Sequence, residues 1–136
     1  MYRVVFDPGI LIAALISDKG APRALLRAWL DGVFELLVSP ALLAELGRVL
    51  ERQKFRCYAS ERDARLYVIF LKRFGTLCPD AESPSRLSPD PGDDYLLTLA
   101  QNQGADFLVS GDPHLCHLER TEPPVLTPRA FLNRLE

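Results

Sequence analysis

At 136 residues the chain is long enough for one domain, 1–136, with a core that needs no disulfide or zinc staple. Its 48% apolar and 25% charged residues exclude a disordered tail. The longest apolar run, Ile10 to Ile16, is too short to cross a bilayer, and charged and turn residues from Arg3 to Gly9 interrupt any leader, so a cytoplasmic, non-membrane protein is expected. Cys57, Cys78 and Cys116 are odd in number, far apart and form no C-x-x-C, which argues against a disulfide framework. A formal charge of −2 argues against a general grip on duplex nucleic acid, but not against an enzyme with an acidic centre and basic surroundings.

The first element is a β-branched and aromatic stretch, Tyr2 to Phe6, which reads as a strand running into the Asp7-Pro8-Gly9 turn. Ile10 to Ile16 is uniformly apolar and predicts a helix buried on most sides. After Ser17 to Gly20, Pro22 opens a second helix with Leu25, Leu26, Trp29 and Leu30 on one face. Val33 to Val38 predicts a strand, and Ser39-Pro40 a helix through about Gln53, as N-cap and first helical residue. Ser60 with Asp63 opens another helix, on which Leu66, Ile69, Phe70 and Phe74 are expected to supply the buried stripe. Thr76 to Cys78 predicts a brief strand.

Pro79 to Gly92 is polar and proline-rich and reads as a surface loop, since too little chain follows it for a second core. Asp90 or Asp93 caps a helix with Leu96, Leu97 and Ala100, and Gly104 ends it. A strand at Asp106 to Ser110, a short helical turn, a strand at Pro124 to Leu126 and a helix capped by Thr127-Pro128 complete the chain. Strands alternating with helices predict an α/β fold with a mainly parallel central sheet covered on both faces, whose ligands sit beyond the carboxyl ends of the strands.

At those ends stand carboxylates. Asp7 follows the first strand, Glu45 lies in the second turn of the helix after the second, Asp94 begins the helix after the long loop beside Asp93, and Asp112 follows the strand ending near Ser110. Clustered carboxylates need protons or cations among them, and oxygen donors without imidazole or thiolate suit Mg²⁺ or Mn²⁺ rather than zinc. Such sites commonly hydrolyse phosphodiesters. Each residue also has a plainer reading. Asp-Pro-Gly is ordinary turn chemistry, a partly exposed helix Glu is common, and Asp93, Asp94 and Asp112 suit helix N-termini.

Taken together, the stretches Val4 to Leu15, Leu37 to Leu46, Asp90 to Ala100, Ala105 to Asp112 and Val125 to Leu132 resemble the PIN-domain family, in particular its short prokaryotic, VapC-like branch of toxin–antitoxin systems. The resemblance covers nearly the whole chain, in order. It implies a single-domain three-layer α/β/α fold and a metal-dependent ribonuclease for single-stranded RNA, with the acidic quartet on Asp7, Glu45, Asp94 and Asp112. Asp7 and Asp94 would hold the principal ion, Mg²⁺ or Mn²⁺, with Glu45 and Asp112 completing the site. Asp93 and Ser110 are expected to support it. A small antitoxin and a homodimer are the implied protein partners. The first motif departs from the family's Asp-Thr-Asn or Asp-Ser-Asn, because Pro8-Gly9 lacks the bracing hydroxyl and amide, and His114 stands where an acidic residue is frequent. Losses of such supporting groups typically cost about 10–100-fold in metal affinity or activity.

Arg23, Arg27, Lys54, Arg56, Arg62 and Arg65 are candidates to guide an RNA backbone, with Phe55 or Tyr58 stacking on bases. The alternative is a catalytically weakened PIN domain that acts mainly through protein binding. Other α/β enzymes are disfavoured: G-x-G-x-x-G, G-x-x-x-x-G-K-[ST] and G-x-S-x-G are all missing, and His114, Cys116 and His117 match no common zinc spacing.

Overall fold

The computed structural model describes residues 1–80, 91–116 and 122–136, with the backbone alone at 91–94, 114 and 116. Its centre is a parallel sheet of five strands in the order β3-β2-β1-β4-β5. These are β1 (Arg3–Phe6), β2 (Glu35–Val38), β3 (Thr76–Leu77), β4 (Phe107–Val109) and β5 (Val125–Leu126). Val5 of β1 lies opposite Leu37 of β2 and Leu108 of β4, and all three are fully buried. Strands covered on both faces read as continuous apolar runs, and these do.

The helices among the described residues are α1 (Pro8–Ile16), α2 (Ala21–Leu30), α3 (Pro40–Leu50), α4 (Glu61–Phe74), α5 (Pro91–Asn102), α6 (Pro113–Cys116) and α7 (Pro128–Leu135). Right-handed crossovers put α1 to α4 on one face of the sheet and α5 and α6 on the other. The packing agrees: α1 meets α2 and α3, α3 meets α4, and α2 meets α7, whereas α5 lies against β1 and β4. The result is the expected three-layer α/β/α arrangement.

Three helices begin alike, with a capping side chain followed by proline at the first helical position, where its missing N–H costs nothing. The Asp7 carboxylate accepts from the Gly9 N–H, Ser39 Oγ from Leu42 N–H and Thr127 Oγ1 from Ala130 N–H. Ser60 Oγ accepts from the Asp63 N–H at 3.0 Å to start α4. Because Asp7 caps it, α1 starts at Pro8, two residues before the apolar run suggests.

Three expectations need correction. The helix from Pro40 stops at Leu50 instead of about Gln53, and a single 3₁₀ turn, Gln53–Phe55, follows. Arg56 Nη2 donates back to the Leu50 carbonyl and so satisfies one of the carbonyls that a helix end leaves free. On α2, Leu25 and Trp29 are buried but Leu30 is exposed. On α4 the apolar stripe is largely turned outward: Leu66, Ile69 and Phe74 are 48%, 58% and 61% exposed, while Ala64 and Leu71 are buried. Ala64, Tyr67, Val68 and Leu71 form the inner side, where the Tyr67 hydroxyl donates to the Leu11 carbonyl at 2.7 Å. Burial pushes that phenol far above the ordinary tyrosine range.

Trp29 packs edge-on against Phe70, with ring centroids 5.8 Å apart, and belongs to the core rather than to a surface. Most of the loop assigned to Pro79–Gly92 lies outside the described residues, as does His117, but α5 already begins at Pro91, so Pro91 and Gly92 are helical and Asp93 lies within the helix instead of capping it. No described helix is long and apolar enough to cross a membrane.

Candidate active site

The strand order reverses direction between β1 and β4, because successive crossovers from β1 run one way through β2 and β3 and the chain then returns to β4 on the far side. In open parallel sheets ligands collect at this point, beyond the carboxyl ends of the two strands. Here those ends carry Asp7 and, three residues beyond Val109, Asp112.

Asp7 is held on three sides. Its N–H donates to the Val109 carbonyl at 2.9 Å, extending the β1–β4 ladder. Its Oδ1 accepts from the Gly9 N–H at 2.9 Å, and its Oδ2 from the Ser110 hydroxyl at 2.8 Å. Ser110 is fully buried, and its Oγ also accepts from the Asp112 N–H at 3.0 Å. One hydroxyl therefore ties the two strand ends together. Each oxygen of a carboxylate carries two lone pairs, so an oxygen that receives one hydrogen bond keeps another pair for a cation. Asp7 and Asp112 are both half-buried, with an open side.

Glu45 projects from the second turn of α3, and its Oε2 accepts from the Tyr95 hydroxyl of α5. This bond joins the two helical layers across the carboxyl edge of the sheet. Tyr95 had no role in the sequence reading, since nothing local marks a half-buried tyrosine as the partner of a glutamate fifty residues away.

Asp93 and Asp94 open α5, immediately before Tyr95, but their side chains lie outside the described residues, as do those of His114 and Cys116. The structure thus joins Asp7, Ser110 and Asp112 in one network and Glu45 with Tyr95 in a second. Among the described residues no three His, Cys, Asp or Glu side chains form a metal-holding group. The donor chemistry still fits a hard divalent cation. Asp7, Glu45 and Asp112 offer carboxylate oxygen alone, and Mg²⁺ in particular needs few protein oxygens beside its own waters.

Two basic candidates are already committed elsewhere. Arg23 donates through Nε and Nη2 to the Ala14 and Leu15 carbonyls, and Arg56 to Leu50, so both serve helix C-termini. Phe55 is buried under Lys54, whose Nζ lies 5.1 Å from the ring centroid, which removes it as a stacking platform; Tyr58 is 60% exposed.

A family model for the PIN domain matches residues 3–114. The chain belongs to the PIN-domain family. The crystal structure of PAE2754 from Pyrobaculum aerophilum is similar at a TM-score of 0.65 and 16% identity, over 99% of this chain and 89% of that one. That of VapBC2 from Rickettsia felis, bound to a DNA fragment from their promoter, is similar at a TM-score of 0.66 and 14% identity, over 92% and 98%. No curated protein matches the chain.

Proposed function

We propose that this protein is a divalent-metal-dependent endoribonuclease acting on single-stranded RNA, and that it is the toxin of a toxin–antitoxin pair. PIN domains are in general nucleases that use divalent metal ions. The observation that carries the reading is the Asp7–Ser110–Asp112 network at the point where the strand order reverses. Asp7, Asp94, Glu45 and Asp112 are the proposed ligands, with Asp93 and Ser110 in support. Mg²⁺ or Mn²⁺ held there would supply a bound water of lowered pKa and offset charge on the phosphoryl group.

The protein's own contribution is preorganisation. Gly9 N–H and Ser110 Oγ fix the plane of the Asp7 carboxylate, so the group reaches substrate already oriented. Tyr95 restricts Glu45 in the same way. Exposed Arg27, Lys54, Arg62 and Arg65 would attract a phosphate backbone.

The similarity to VapBC2 supports the toxin–antitoxin pairing, and a small antitoxin partner, a cytoplasmic setting and a toxin homodimer belong to the same proposal. A second reading, protein binding by a weakened nuclease, is favoured by Pro8-Gly9. The Gly9 N–H supplies one brace to Asp7, but neither residue brings the family's hydroxyl and amide. The deciding experiment pairs Mn²⁺ calorimetry with cleavage of a labelled single-stranded RNA, for wild type and Asp7→Asn/Asp94→Asn. Binding and cleavage in the wild type, both lost in the variant, support the nuclease. Binding without cleavage supports the second reading, and no binding removes the metal centre.

A further inference from the structure

Past Glu45 the charge along α3 changes sign. Residues 48–54 carry the cations Arg48, Arg52 and Lys54 against the single carboxylate Glu51. With 3.6 residues to a turn, Glu45, Arg48 and Arg52 fall within an arc of about 60°. The helix ends at Leu50, yet the winding carries on. The Glu51 and Arg52 N–H groups donate to the Arg48 and Val49 carbonyls at 3.3 and 3.1 Å, which keeps Arg52 in line with the strip. Glu51 belongs to another side: with Gly47 and Leu50 it lines the cavity between α3 and α4.

Arg48, Arg52 and Lys54 are exposed. Unlike Arg23 and Arg56, whose guanidinium groups serve helix C-termini, Arg48 and Arg52 enter no ion pair or side-chain hydrogen bond among the described residues. Arg48 sits in the last turn of α3, where the helix dipole favours a cation. That accounts for one positive charge near the helix end. It does not account for Arg52 beyond the end, on the side of the helix that Glu45 occupies.

The strip is polar throughout. Ala41, Glu45, Arg48 and Arg52 follow one another along it, and none offers the large apolar anchor on which a protein partner usually depends. Arg48 and Arg52 stand about 6 Å apart along the axis, a spacing that successive phosphates of an extended strand can match. A strand lying there continues directly to Glu45 and so to the carboxylate site. Tyr58, further along the chain and 60% exposed, keeps an aromatic face open to a base. We infer that the Glu45–Arg48–Arg52 strip of α3 is the track that holds one flank of the RNA substrate, with Arg48 and Arg52 each taking a phosphate. The inference rests on the nuclease reading of the carboxylate site, and adds the direction in which the substrate leaves it.

The test is fluorescence anisotropy of a short labelled oligouridylate with the whole chain, across a salt series and in EDTA, so that cleavage plays no part. On single strands each neutralised phosphate contributes about 0.7 to the slope of log affinity against log salt. Arg48→Ala/Arg52→Ala should therefore flatten that slope by about 1.4 and weaken binding at low salt roughly tenfold or more. Arg48→Lys/Arg52→Lys should keep the slope. Lys72→Ala/Arg73→Ala removes the same charge from the far end of α4 and should also keep it. Arg48 and Arg52 are exposed, and circular dichroism of each variant checks its fold. With Mn²⁺ present, the double alanine variant should show a raised KM for RNA cleavage, an unchanged kcat and wild-type Mn²⁺ affinity. An unchanged slope in that variant, an equal loss in Lys72→Ala/Arg73→Ala, or no binding of oligouridylate by the wild type at low salt would overturn the inference. So would tighter binding of a duplex of equal length, or easier displacement by an oligoglutamate of equal charge, which would assign the strip to duplex or to an acidic protein segment. Failure of the nuclease reading would look different: a wild type that binds oligouridylate in EDTA but neither binds Mn²⁺ nor cleaves.

Discussion

The buried Ser110 hydroxyl bridges Asp7 and Asp112, and its replacement should have two separable effects. Ser110→Ala frees Asp7 Oδ2 to turn and leaves the Asp112 N–H without that acceptor. Loss of such a bracing group predicts about a 10–100-fold fall in Mn²⁺ affinity, read by calorimetry. Loss of the hydrogen bonds made by Ser110 Oγ predicts a destabilisation of about 1 kcal/mol in urea unfolding. Asp7 presents the opposite design problem, because it caps α1 as well as facing the site. Asn is as good an N-cap as Asp, so Asp7→Asn should keep near-native stability while losing Mn²⁺ binding, whereas Asp7→Ala should lose a further ~1 kcal/mol. The first motif is also open to restoration. A Cβ at Gly9 would lie 3.5 Å from Asp7 Oδ1, an ordinary contact, so Pro8→Ser/Gly9→Asn should fold and raise metal affinity, checked in the same calorimeter.

Among the elements, α4 is the informative one. Tyr67→Phe removes the hydroxyl that ties α4 to the Leu11 carbonyl of α1 and should cost about 1 kcal/mol, or somewhat more if that carbonyl finds no water, measured by urea unfolding. The same helix shows where sequence reading stops. Its start is legible, since Ser60 and Asp63 meet within one turn. Its orientation is not. A helix carrying Leu66, Ile69, Phe70 and Phe74 as well as Ala64, Tyr67, Val68 and Leu71 is apolar on two sides, and periodicity cannot choose between them. The choice is tertiary: Ala64 is small enough for close packing, and Tyr67 finds an acceptor on α1. The site divides likewise. Asp7 and Asp112 could be placed from the strands that precede them, because a strand end fixes where its next residues go. The Glu45–Tyr95 bond joins helices from different layers and left no local trace.

For the molecule as a whole, a ligand that binds only the folded chain adds stability. Mn²⁺ at a hundredfold excess over its dissociation constant should contribute about 2.7 kcal/mol, a rise in melting temperature of roughly 10 °C, absent in Asp7→Asn/Asp94→Asn. Scanning calorimetry with and without the ion checks this, and a flat response would mean that the carboxylates do not act together. The sheet carries a consequence of another kind. Its two outermost strands among the described residues, β3 and β5, are two residues long each, while the longer β1 and β2 lie inside. So brief a margin gives an extended peptide almost no row of free amides and carbonyls to zip onto. Lengthening of the sheet by a foreign strand, one of the commonest ways that proteins are captured or drawn into fibrils, is therefore closed to these margins. Recognition of this molecule by other chains falls to side chains on its helices, where specificity can be altered one residue at a time without disturbing the sheet.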